Sequence, residues 1–157
     1  MAGWGLRAAL AGGLLLAAIG AVAIPADATV PGAAVKMRAA IVQERRALHA
    51  LPQAAGSSHG IYAKPLAHAN AAVSDLLAVQ AAFATAARET GSFPHIATMQ
   101  RLLDSAIAGS SDAAQGLSHA IWLIDHGAPA DSTVAALARS DLRQALRAST
   151  ALAKLLD

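Results

Sequence analysis

Six histidines, two glutamates and no cysteine set the limits on chemistry in this 157-residue chain. Without cysteine there is no disulfide framework, thiolate metal site, covalently attached haem or cysteine nucleophile. A metal held by one helix needs ligands three or four residues apart, and most of the histidines fail that test. His119 and His126 are seven apart, about 10 Å along a helix axis. His95 and Met99 are four apart, and an imidazole with a thioether suits copper if a third ligand such as His59 or His68 arrives from elsewhere. The same spacing also fits a core methionine below a surface histidine. With only Glu44 and Glu89 and no Glu-x-x-His, a carboxylate-bridged di-iron centre is excluded. A haem held non-covalently by histidine has nothing further to support it, so no cofactor is expected.

Gly116-Leu117-Ser118-His119-Ala120 has the outline of a nucleophile elbow. That elbow needs a strand before the serine and a helix after it, whereas apolar residues recur at helical spacing on both sides. No glycine-rich phosphate loop and no clustered acid–base pair occurs, which leaves an enzyme as the least supported class.

Another set of residues reads better as a surface. Gln115, His119, Trp122 and His126 fall at i, i+4, i+7 and i+11, a stripe opposite Leu117, Ile121 and Ile124. A helix with two usable faces has two neighbours. Either Trp122 packs on a long loop or on the first helix, or the stripe is a recognition surface for a protein partner. Tryptophan is enriched at interface hot spots, and adjacent histidines would make such a contact pH-sensitive. Further on, Arg139, Arg143, Arg147 and Lys154 form a basic ridge across from Val134, Leu142, Ala145, Leu146, Ser149 and Leu156. Basic amphipathic helices lie on anionic membranes or meet acidic partners, although a solvated face has the same pattern. Glu44-Arg45-Arg46 reads as solvated surface too.

These residues must be carried by helices. The chain holds 44 alanines, is 55% hydrophobic and only 14% charged, which excludes wholesale disorder. Its net charge of +2 rests on twelve basic against ten acidic residues rather than on a basic tail, so nucleic acid is not implied. After Arg7 the stretch 8–26 carries no charge until Pro25 and the small residues Ala26-Asp27-Ala28, the order of a secretory signal peptide cleaved after Ala28. The alternative is an uncleaved membrane anchor, with Ala9, Gly13, Ala17 and Ala21 as a small-residue face for another helix. Both readings put residues 29–157 outside the cytoplasm, periplasmic, secreted or anchored.

The body reads as all-α, a four- or five-helix up-and-down bundle. Helix one spans about Ala33 to Ala50 with Val35, Ile41, Val42 and Leu48 inward, and Leu51-Pro52 stops it. A loop covers Gln53 to Tyr62. Helix two begins at Lys64-Pro65, turns Leu66, Val73, Leu77, Gln80, Ala84 and Ala87 to one face, and ends at Gly91. Ser92 caps helix three, with Ile96, Met99, Leu103 and Ala106 inward as far as Gly109. Ser111-Asp112 caps helix four, with Ala113, Leu117, Ala120, Ile121 and Ile124 inward, ending at Gly127 and Pro129. Asp131-Ser132 opens helix five, which reaches Leu156 with a bend or break at Ser140-Asp141. Alanine faces pack closely but bury little area each, so moderate stability or completion by a partner is expected. The function this favours is a non-catalytic, exported or membrane-anchored binding or accessory component of the cell envelope. The alternative is a periplasmic small-ligand or metal-binding protein, with copper or haem on its histidines and methionine.

Overall fold

The computed structural model describes residues 30–53, 56, 58–90 and 95–157; the export segment, its cleavage point and the proposed Ser92 cap lie outside them. Four helices form the described body: α1 (Val30–Ala50), α2 (His59–Thr90), α3 (Ile96–Asp125) and α4 (Ser132–Leu156). Each packs on the next, and α4 closes the ring against α1. The antiparallel order shows in the side-chain pairs. Lys36 meets Asp75 at 3.6 Å and Gln43 meets His68 at 2.9 Å, so rising numbers on α1 pair with falling numbers on α2. Arg38 pairs with Asp157 across α1 and the end of α4 in the same sense. No strand occurs among the described residues, and no helix there is long and apolar enough to cross a membrane.

Four helices replace the five-helix alternative because the third and fourth expected segments are one. Gly109 was expected to stop a helix and Ser111-Asp112 to start another, yet α3 runs unbroken through all of them. Gly109 is buried where α3 crosses α4: a Cβ there would stand 2.7 Å from the Asp141 carbonyl oxygen and 3.1 Å from the Ala145 Cβ. Glycine at this point lets two backbones approach, which is a packing role rather than a breaking one. Likewise α4 is continuous through Ser140-Asp141. Its start agrees with the sequence, because the Asp131 side chain accepts from the Thr133 amide at 2.9 Å.

The end of α3 is also where the sequence places it. Gly127 adopts φ +78°, the Ala128 amide donates to the Leu123 carbonyl at 2.9 Å, and the Gly127 amide donates to Ile124 at 3.0 Å. These two bonds make a Schellman cap, whose left-handed position suits glycine. At the other end of α3, His95 takes the left-handed cap position at φ 63°, and its carbonyl accepts from Thr98 and Met99. The start of α2 departs from expectation: it begins at His59, so Pro65 sits inside the helix, buried. The added turn is held by Tyr62, which is fully buried. Burial of that ring outweighs the backbone bond that proline removes.

The inward faces of α1 and α2 differ from the sequence reading. Ala33, Met37, Ala40, Glu44 and Ala47 point inward on α1, whereas Val35 and Val42 are 63% and 43% exposed. On α2, Ala69, Ala72, Leu76, Val79 and Phe83 are buried, whereas Leu77 is exposed with Gln80 and Ala84. Small side chains occupy the seams and let the helices close, which turns larger aliphatics outward. α4 follows the expected face more closely, burying Leu142, Ala145, Ser149 and Leu152.

Candidate interaction surface

The stripe on the second half of α3 faces solvent. Leu117 is buried on the inner side, while Gln115, His119, Trp122 and His126 are exposed. Trp122 is 53% exposed and is not packed beneath α1. Its ring stacks between the two histidines: His119 lies 6.0 Å away with planes 10° apart, and His126 lies 4.2 Å away with planes 29° apart. Helical spacing alone brings the three together, since residues three and four apart share a face.

His126 is fixed a second way. Its Nδ1 lies 2.7 Å from the Trp122 carbonyl oxygen. A carbonyl only accepts, so Nδ1 carries the hydrogen and donates, a second bond to an oxygen that also accepts from the His126 backbone amide. The backbone amide of His126 reaches Trp122 and Leu123 as well. The imidazole is therefore anchored to the Schellman turn, and the indole rests on an anchored group. Near this end of the bundle, His59 at the start of α2 donates from Nδ1 to Asp125 at 3.0 Å, which joins the beginning of α2 to the end of α3.

The basic ridge on α4 divides in two. Arg139 is partly buried and donates to the Pro52 carbonyl at 2.9 Å, tying α4 to the end of α1. It is thus committed to holding the fold. Arg143, Arg147 and Lys154 are exposed. Arg147 and Lys154, with Arg45 of α1, border a shallow groove floored by Leu146, Ala151 and Leu155.

The histidine and methionine pair does not converge. His95 is exposed at the entry to α3, whereas Met99 is 5% exposed and packs with Leu103 and Leu76 in the core. Neither expected third ligand is brought to it. His68 is engaged with Gln43, and His59 stands by Asp125 at the far end of α3, roughly 45 Å away at 1.5 Å per residue. Among the described residues no three histidines, aspartates or glutamates cluster as a metal site. Ser118 and His119 are both exposed in the middle of continuous helix, with no strand before them.

One functional group escaped the sequence reading. Glu44, whose neighbours Arg45 and Arg46 give it the pattern of solvated surface, is fully buried, while the two arginines are exposed. The Ser149 and Ser110 hydroxyls donate to its Oε1 at 2.8 and 3.3 Å. Its Oε2 is buried without a hydrogen-bond partner. Burial pushes the carboxyl up from 4.5 to about 7, against the lowering effect of the two hydroxyls. The available signal was periodicity: Glu44 continues the series Ala33, Met37, Ala40 that ends at Ala47.

Comparison with protein-family models, curated proteins and solved structures finds no match to this chain.

Proposed function

We propose that this protein is a non-catalytic helical-bundle component of the cell envelope, exported or membrane-anchored, that binds a protein partner through Gln115, His119, Trp122 and His126. The observation that carries this reading is the exposure of Trp122 stacked between two imidazoles on α3, one of them hydrogen-bonded to the helix end. A large apolar side chain held in one orientation in solvent loses little conformational entropy on contact, which is what an interface anchor requires. The flanking histidines and Gln115 supply polar contacts around it. The export reading comes from the order of charge, apolar stretch and small residues in 1–28.

Trp122→Ala separates recognition from folding. Because Trp122 is half-exposed, its truncation is expected to leave helical content unchanged and to cost the fold no more than about 1 kcal/mol. Recovery of the partner from solubilised envelope fractions is expected to fall at least tenfold, the effect of losing about 1.4 kcal/mol of binding. Unchanged recovery, or loss of helicity in the variant, would contradict the proposal.

A further inference from the structure

The core of the bundle is two apolar clusters rather than one. The first gathers Met37, Leu76, Phe83, Met99, Leu103 and Leu152; the second gathers Leu51, Tyr62, Ala69, Leu117, Ala138 and Leu142. Glu44 stands between them on α1, after Ala40 of the first cluster and before Ala47 of the second. Ser110 holds the corresponding place on α3, between Ala106 and Ala113, and Ser149 meets them from α4. At this same level Gly109 brings α3 against α4. A carboxyl group thus occupies the meeting point of three helices.

We propose that Glu44, Ser110 and Ser149 form a proton-operated latch, in which neutral Glu44 holds α1 on α3 and α4 and its ionisation loosens α1 from them. Ionised, the group has two hydroxyl donors on one oxygen and none on the other, inside an apolar surround. A buried charge is tolerated when paired, and among the described residues no cation is placed to do so. On α1 the neighbouring Arg45 and Arg46 are exposed. On α2, His68 is turned to Gln43 and Asp75 to Lys36. On α3 and α4, burial and then the Asp112 charge raise the Asp141 carboxyl, while Arg143, Arg147 and Lys154 are exposed. The forces that shift Glu44 are burial and the two hydroxyls.

The direction follows from linkage. Since the folded carboxyl holds its proton more tightly than the unfolded one, its stabilising effect is complete below pH 4.5 and is lost as pH rises through about 7. The gap from 4.5 to about 7 bounds the change in the unfolded-to-folded ratio at roughly 300-fold. α1 is the helix that follows the apolar N-terminal stretch in sequence, so the latch acts on the element joining the bundle to that stretch.

The test is urea denaturation of the full chain between pH 5 and 8.5, with amide exchange followed helix by helix after correction for intrinsic rates. Relative to Glu44→Gln, the wild type is expected to lose stability as pH rises, towards that limit, with α1 amides losing protection before those of α2. Ser149→Ala removes the shorter of the two bonds that favour the charged form, so its pH midpoint is expected to move upward. Three outcomes would overturn the latch: the same pH dependence in Glu44→Gln, a Ser149→Ala loss that is equal at every pH, or equal loss of protection in all four helices. If Glu44→Gln fails to fold, the carboxyl carbon of Glu44 in the wild type decides, because titration near 4.5 would contradict the proposal.

Discussion

Gly109 and Gly116 lie two turns apart on α3 and are opposite in kind. The missing Cβ of Gly109 makes room for the α4 backbone, whereas a Cβ on Gly116 would meet nothing within 4 Å. Gly109→Ala is therefore expected to destabilise the bundle by about 1–3 kcal/mol through overpacking, partly offset by the better helix propensity of alanine. Gly116→Ala is expected to stabilise it by about 0.5–1 kcal/mol. Urea midpoints moving in opposite directions check the pair; a shared direction would refute the close approach of α3 and α4. The same scale explains why Glu44 is hard to read from sequence and Trp122 is not. A glutamate beside two arginines has the composition of surface, and only its register with Met37, Ala40 and Ala47 marks it as inward. For Trp122, the spacing of His119 and His126 was legible, and that spacing is enough to produce the stack.

At the scale of elements, helix caps and helix breakers use the same residue types, and context separates them. Gly127 is followed by Pro129 and carries both bonds of a Schellman cap, so its role was legible. Gly109-Ser110-Ser111-Asp112 has the same composition, but Gly109 and Ser110 are consumed by tertiary contacts with α4 and Glu44. If Ser111 were a helix N-cap, Ser111→Ala would cost about 1 kcal/mol. In a continuous α3 it is expected to change stability by no more than about 0.5 kcal/mol, measured by thermal or urea unfolding. A full capping loss would restore two helices in place of one. The faces of α1 and α2 were misread for a related reason. Valine and leucine were assigned inward by hydrophobicity, yet Ala40, Ala69 and Ala72 fill the seams and Val35, Val42 and Leu77 look outward, because small seam residues shorten the distance between helices.

Among the described residues the molecule is an antiparallel bundle whose core is rich in alanine, divided at mid-height by one buried carboxyl. The all-α class followed from helical periodicity, since this depends on local chemistry. The buried polar layer depends on register between helices distant in sequence, and spacing within one helix does not reveal it. For the N-terminal segment, intact mass of the natively expressed protein is expected to show a soluble chain beginning at Thr29. A membrane-fraction species retaining Met1 or Ala2 would identify the segment as an anchor instead.

Recognition through the Trp122 face is tested most directly by site-specific photo-crosslinking in cells. A photoreactive residue placed at 122 is compared with one at 35, an outward position 63% exposed near the opposite end of the bundle. The account predicts a discrete crosslinked species from position 122 that is absent from position 35. No product from 122, or the same products from both positions, would contradict it.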